Sequence, residues 1–310
     1  MKIFATSDIH GNKVLVYLIR EIVKKENIDA LIIAGDITPK GFYQLCKDGL
    51  EYDIHSVFSL KNREDILKGD EHQIRARLDL LGFVEVSKDN YNLSTIKSKQ
   101  KEKLNEICKL LKMTDVPVYM LIGNDDHISD GDWGRALHDY GILNLNSMTH
   151  TLENLKIAGF QYVLPTPWNT NNELPEDKLA KKLRSIEGKV DKKTILITHG
   201  PSKGVLDRVA NGLRAGSESI FNLVKDKQPV FHIFGHIHEA FGNAKIANTI
   251  CCNVSCLWTD WLLRGYVIDT QTKNIKKIGR TISLNGFRCI YKEYLSLLIL
   301  PGSERERAGW

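Results

Sequence analysis

The sequence predicts an α/β fold, and three observations carry that expectation. Short apolar runs rich in branched residues recur along the 310 residues, each bounded by Gly or polar residues, the pattern of buried strands. Segments with apolar residues at helical spacing lie between them. The residues that end the runs are repeatedly Asp, Asn and His. In α/β folds the carboxyl ends of neighbouring strands converge on one crevice, so clusters far apart in sequence are expected to meet.

Taken in order, Ile3-Phe4-Ala5 leads into Asp8-Ile9-His10. From Lys13 to Glu26, Val14, Leu15, Leu18, Ile19, Ile22 and Val23 form one apolar helix face. Ala30 to Ala34 leads into Gly35-Asp36. Residues from about Pro39 to Asp115 read as an insertion between the second and third strands, rich in charge from Lys61 to Arg77 and suited to a lid or side wall. Within it, Leu104, Ile107, Cys108 and Leu111 predict a helix over Lys103 to Leu111. Val116 to Ile122 leads into Gly123-Asn124-Asp125-Asp126, Thr194 to Ile197 into Thr198-His199-Gly200, and Phe231 to Phe234 into Gly235-His236-Ile237-His238. Two late strands are expected over Thr249 to Val254 and Tyr266 to Asp269, and a loose tail over Pro301 to Trp310. The expected organisation is one domain over residues 1–280 with an insertion at about 39–115, then a C-terminal extension over 281–310.

Composition narrows the function classes. With 42% hydrophobic and 26% charged residues the chain has the balance of a core-forming globular protein. The net charge of +5 is mild, and the basic runs Lys97 to Lys101 and Lys276-Lys277 are short, so no nucleic-acid surface is expected. A small anionic substrate suits the balance better. The six cysteines, Cys46, Cys108, Cys251, Cys252, Cys256 and Cys289, form no Cys-x-x-Cys pair and read as free thiols of a reducing cytosol. No secretory leader is evident, and no run approaches the roughly 20 apolar residues of a membrane span, so a cytoplasmic protein without a membrane partner is expected.

Each polar cluster alone has an ordinary explanation: Asp-x-His as a cap beside a surface His, Gly-Asp as a turn, Thr-His-Gly as a satisfied buried His. Gly-His-x-His says more, because an extended segment points both imidazoles to one side. Five clusters, all after apolar strands, together offer carboxylate, amide oxygen and imidazole without thiolate. That donor set suits borderline divalent ions: Mn, Fe, Zn, Co or Ni.

In this order and placement, Asp8-x-His10, Gly35-Asp36, Gly123-Asn124, His199 beside Gly200, and Gly235-His236-x-His238 resemble the calcineurin-like metallophosphoesterase superfamily, over nearly the whole span from Met1 to about Lys277. The stretch from Thr198-His199-Gly200-Pro201 through Gly212 to Ser217 and on to Glu239 is further similar to the phosphodiesterase-type branch that includes the metallophosphoesterase-domain proteins. The resemblance implies two packed mixed β-sheets flanked by helices. It implies two divalent metal ions, one held by Asp8, His10 and His238, the other by Asn124, His199 and His236, with Asp36 bridging both. It also implies hydrolysis of a small phosphate ester or nucleotide by a hydroxide lying between the metals, most simply of a phosphodiester. The alternatives are a phosphomonoesterase and a catalytically weak scaffold of the same fold. A homodimer is left open.

One departure stands out. The superfamily commonly has His directly after the Asn of the third cluster; here that position is Asp125. Asp125 is open to three readings: a general acid with its pKa raised by Asp126, a further metal contact, or a bystander to an acid supplied elsewhere, His127 being the nearest. Arg214, in the Gly-rich segment Gly212 to Gly216, reads equally as a phosphate-holding guanidinium and as a surface turn residue. Asn12 reads as a substrate contact or a helix cap, Trp258 and Trp261 as core rather than base-stacking residues, and His232 as a strand residue rather than a ligand.

Overall fold

Alternate residues of the first strand bury in different places, and this sets the layers. Ile3 and Ala5 enter one apolar cluster and Phe4 another. Such a strand needs apolar residues at every position, because both faces are covered. The computed structural model describes residues 1–46, 49–52, 68–283, 286–287 and 290–291, with the side chains of 46 and 49–52 set aside.

The strands are β1 (Lys2–Thr6), β2 (Ala30–Ala34), β3 (Gly41–Cys46), β4 (Gly49–Tyr52), β5 (Phe83–Glu85), β6 (Val118–Leu121), β7 (Leu143–Asn144) and β8 (Thr149–Leu152). They continue as β9 (Leu155–Phe160), β10 (Thr194–Thr198), β11 (Phe231–Phe234), β12 (Gly242–Ile246), β13 (Thr249–Asn253), β14 (Leu263–Asp269) and β15 (Ile275–Arg280). The helices are α1 (Lys13–Glu26), α2 (Glu71–Leu80), α3 (Leu93–Lys112), α4 (Asp130–Asp139), α5 (Glu176–Glu187) and α6 (Glu218–Lys227).

Two six-stranded mixed sheets result, in the orders β15-β14-β1-β2-β6-β7 and β12-β13-β11-β10-β9-β8. Between them lie Ile3, Ala5, Ile32 and Leu121 of the first sheet and Ile157, Ile195, Ile197, Phe231 and Ile233 of the second. The outer face of the first sheet, with Phe4, Leu31, Ile33 and Met120, packs on Leu15 and Ile19 of α1, Leu104 and Ile107 of α3 and Trp133 of α4. That of the second, with Phe160, Leu196 and Phe234, packs on α5 and α6. The architecture is the expected pair of mixed sheets flanked by helices.

The central strands of each sheet run parallel, β1 with β2 and β6, and β9 with β10 and β11. Their carboxyl ends therefore lie at one edge of the sandwich. The region 39–115 supplies a small sheet, β4-β3-β5, together with α2 and α3. α3 is longer than its apolar spacing suggests. Asn92 caps it by accepting the Thr95 N–H at 3.1 Å, and its first half carries Lys97, Lys99 and Lys101, so the apolar stripe begins only at Leu104. The tail over 301–310 lies outside the described residues.

Cys108, Cys251, Cys252 and Cys256 are buried free thiols, and burial pushes them up to about 12, 12, 12 and 11 respectively. They behave as small apolar residues rather than nucleophiles. Cys289 and the Cys46 side chain lie outside the described residues. Among the described residues no helix is long and apolar enough to cross a membrane.

His232 is fully buried on β11. The Thr198 hydroxyl donates to the Gly200 carbonyl at 2.5 Å, so it accepts from His232 Nε2 at 2.9 Å and the imidazole is neutral at Nδ1. Burial holds its pKa down at about 3, against an ordinary 6.5. The unfolded chain therefore binds one more proton across that window. Stability contributed by neutral His232 is complete above pH 6.5 and is lost as pH falls towards 3, by up to about 1.4 kcal/mol per pH unit. Denaturation midpoints of wild type and His232→Phe are expected to converge as pH falls below 6.5; parallel curves would rule this contribution out.

Candidate metal centre

The loops that leave β1 and β2 stay zipped together beyond the strands. Asp8 N–H donates to the Gly35 carbonyl at 2.9 Å, His10 N–H to that of Asp36 at 3.0 Å, and Gly11 N–H to that of Ile37 at 2.7 Å. On the second sheet Gly235 N–H donates to the His199 carbonyl at 3.0 Å. These bonds set Asp8, His10 and Asp36 opposite His199 and His236.

The backbone is bent to do this. Asp8, His10, Asp36 and His236 all have positive φ, from 44° to 70°. Such conformations are uncommon for residues with a Cβ and cost on the order of 1 kcal/mol each. Gly35, at φ 103°, allows the His199 ring to lie against its Cα, where any Cβ would overlap the imidazole. A Cβ at Gly123 would overlap the Asp36 carboxylate.

Three groups of side chains then converge. Donor atoms of Asp8, His10 and His238 lie within 4.8 Å of one another, as do those of Asp36, His199 and His236, and those of His10, Asp36 and Asp125. Asn124 joins the second group, its Oδ1 lying 3.0 Å from His199 Nε2. Asp36 stands between the groups, with Oδ1 3.3 Å from His199 Nε2 and Oδ2 3.8 Å from His10 Nε2. All seven residues named from the sequence are thus gathered at one place, and Asp125 lies among them.

The electrostatics are those of a site built for cations. Among the described residues, neither nitrogen of the fully buried His10 imidazole has a hydrogen-bond partner. Burial pushes His10 and His236 down to about 3, keeping them neutral with lone pairs available. Burial pushes the Asp36 carboxyl up to about 6 against the pull of His199. For His199 the order is reversed: burial disfavours its charged form, but Asp36 prevails and raises it to about 10. Buried carboxylates need compensating positive charge, which divalent cations would supply. The residues present fit a two-metal centre.

Surrounding contacts aim the ligands. His199 Nδ1 donates to the Ala34 carbonyl at 2.8 Å, leaving Nε2 for the cage. Ser7 Oγ donates to Asp8 Oδ2, and the His236 N–H reaches the same carboxylate at 3.2 Å. Arg264 donates to the carbonyls of Ser255 and His238, both at 2.7 Å, and so braces the Gly-His-x-His turn. Trp258 packs 5.4 Å from His10 between ring centroids, and Trp261 stacks on Phe287, so both are core residues. Asn12 caps α1 through the Leu15 N–H at 3.2 Å.

The two adjacent aspartates have separate tasks. Asp126 accepts from the N–H groups of Ile37, Thr38 and Gly123 and from the Thr38 hydroxyl, at 2.7 to 3.0 Å, stitching the β2 and β6 loops together. Asp125 faces the cage, and Lys40 Nζ lies 2.6 Å from its Oδ2. Burial favours a neutral Asp125 carboxyl, but Lys40 and His10 outweigh it and hold the pKa at about 2. After burial, Lys40 rather than Asp126 is the largest influence on the Asp125 carboxyl. His127 lies partly buried beside it, its N–H held by Gln100 Oε1 at 2.6 Å. Arg214 is paired with buried Asp207 at 2.7 Å.

Several residues around the centre carried no sequence signal. Besides Lys40, Gln100 donates to the carbonyls of Pro39 and Asp125, at 2.7 and 2.8 Å. The loop after β9 clamps the third cluster: Asn124 Nδ2 donates to Thr170 Oγ1 at 2.7 Å, and Asn172 Nδ2 donates to the Gly123 carbonyl at 3.0 Å. A Lys four residues after Asp36, and a Thr-Asn-Asn run, are too common to be singled out.

The family model of calcineurin-like phosphoesterases matches residues 1–240. Metallophosphoesterase domain-containing protein 1 of Homo sapiens is 41% identical over 107 residues, 32% of each chain. A UPF0046 protein of Caenorhabditis elegans is 39% identical over 139 residues, 43% of this chain and 46% of its own length. An uncharacterized protein of Methanocaldococcus jannaschii is 30% identical over 118 residues, 36% of this chain and 54% of its own. The chain thus spans about a third to a half of these relatives' lengths. A crystal structure from Thermus thermophilus superposes with a TM-score of 0.56 at 11% identity, covering 90% of this chain and 98% of that one, a likeness of fold.

Proposed function

This chain belongs to the calcineurin-like phosphoesterase family, and from that premise we propose that it hydrolyses small phosphodiesters at a dinuclear centre held by Asp8, His10, Asp36, Asn124, His199, His236 and His238. The observation that carries the proposal is the placement of Asp36 between two groups of candidate ligands, beside a buried His10 whose nitrogens have no hydrogen-bond partner among the described residues. Two divalent cations held there supply Lewis acidity towards the phosphoryl oxygens and a water activated for attack.

The chain's own residues do the rest. The Ala34 carbonyl fixes the His199 tautomer, Ser7 and the His236 N–H orient Asp8, and Thr170 orients Asn124. Asp125 holds Lys40 at the mouth of the cage, where the remaining N–H groups of the ammonium face incoming ester oxygens. A monoester brings a second negative charge beside Asp125 and Asp36; a diester brings one. That difference supports the diester over the phosphomonoesterase reading. His127 acts at the wall of the adjoining cavity, and Arg214 steadies the loop after β10 through Asp207.

The test is a metal-by-substrate screen. Chelator-stripped protein is reloaded with Mn, Fe, Zn, Co or Ni and assayed on bis(nitrophenyl) phosphate and nitrophenyl phosphate. Stripped protein is expected to be inactive and at least one metal to restore hydrolysis. The diester should be favoured several-fold in kcat/KM. Loading should also raise the melting temperature, as for any ligand of the folded state. Metal-loaded protein that hydrolyses no phosphoester would instead be a scaffold that kept the cage.

A further inference from the structure

A cavity of about 190 Å³ opens directly beside the metal centre. Asp125 and Thr170 belong to both: the Asp125 carboxylate is grouped with His10 and Asp36, and Thr170 is bonded to Asn124. The walls leading away from the cage are aromatic. Phe42 and Tyr91 meet edge to face at 5.9 Å, and Trp168, on the loop after β9, lines the same cavity. Lys40 also lines the cavity, with Nζ 2.6 Å from Asp125 and 5.5 Å from the centroid of the Trp168 ring.

Two features need an explanation. Trp168 is 58% exposed and Tyr91 43%, and each keeps its contact within the protein, with Lys40 and Phe42 respectively, while presenting ring surface to the open cavity. And the region 39–115 brings Lys40, Phe42, Tyr91 and Gln100 to the rim of a cage whose assigned ligands it does not include. Volume admits a ring: a closed cavity of roughly 150 Å³ takes a benzene ring, and this one, open to solvent, has room for at least that.

We propose that this cavity is the leaving-group subsite, receiving a flat aromatic ring borne by the alcohol portion of the ester and stacking it on Trp168 and Tyr91. The subsite rests on the phosphoesterase reading. A phosphoryl group on the cage sits at the Asp125 end, and its ester oxygen leads past Lys40 into the aromatic walls. The ammonium offers that oxygen an N–H while its charge stays balanced by Asp125. The ring is a nucleobase or a simple aryl group. The chemistry is shared: a π-face against aromatic side chains, with the substrate's charge kept at the cage end.

Matched probes separate ring recognition from leaving-group reactivity. Benzyl methyl phosphate and ethyl methyl phosphate both release simple alkoxides. A nucleoside 5′-methyl phosphate and its abasic analogue form the second pair and separate base from aryl. Metal-loaded protein is expected to prefer the ring-bearing member of at least one pair by about tenfold in kcat/KM. Trp168→Ala and Tyr91→Ala should bring that ratio close to one. Binding without turnover is read separately, from tryptophan fluorescence and competition with benzylphosphonate and ethylphosphonate. Benzylphosphonate should bind more tightly to wild type, with the margin lost in Trp168→Ala. Hydrolysis with ratios near one, or ratios untouched by both variants, would overturn the subsite and leave the phosphoesterase. Ring-selective phosphonate binding with no turnover of any ester would overturn the leaving-group role together with the hydrolase.

Discussion

Asp36→Asn is expected to lower kcat/KM for a nitrophenyl phosphodiester by about a thousandfold or more. The amide keeps the shape of the carboxylate but offers one oxygen and no charge, so it cannot bridge two cations. Losing several kcal/mol of charge stabilisation corresponds to that factor, at 1.36 kcal/mol per tenfold. The Asn124, His199 and His236 side keeps its own donors, as does the Asp8, His10 and His238 side. Metal analysis of the purified variant should therefore show less than two equivalents bound rather than a failure to fold, with the circular dichroism spectrum unchanged. An Asp36→Asn variant as active as wild type would remove Asp36 from the centre and with it the proposed mechanism.

Asp126→Ala is expected to be the most destabilising single change near the centre. It strands the buried N–H groups of Ile37, Thr38 and Gly123 and the Thr38 hydroxyl in one step. An unsatisfied buried donor costs about 1–3 kcal/mol, so a total of roughly 3–5 kcal/mol is anticipated after partial relaxation. Chemical denaturation reads this directly. Asp125→Ala, one residue away, should cost far less stability, because its carboxylate faces the cavity and pairs with a Lys40 whose side chain is one-third exposed and open to solvation by water. Equal losses for the two variants would contradict the division between a structural Asp126 and a functional Asp125.

Much of the site could be read from local pattern. β1, β2, β6, β10 and β11 are apolar on both faces, because one face meets the other sheet and the other meets helices, so their runs and abrupt polar ends stand out in one dimension. The seven candidate ligands lie within a few residues of those ends, and their donor chemistry is legible without coordinates. The first half of α3 was not legible, because it shows lysines to solvent and has no apolar stripe to betray its period.

The sequence by itself thus determined the α/β layering, the five clusters and the divalent-metal character of the donors. These follow from period, from the apolar-to-polar switch at strand ends, and from ligand chemistry. Tertiary structure alone decided what the neighbouring residues do. Lys40 meets Asp125 across 85 residues, Thr38 meets Asp126 across 88, and Thr170 meets Asn124 across 46. Which of two adjacent aspartates stitches loops and which faces a cavity depends on loops that are close only after the strands pair. So does the aromatic wall beside the cage. The reason is physical: a donor's identity is a property of one residue, whereas its charge state and task belong to whatever the fold sets against it.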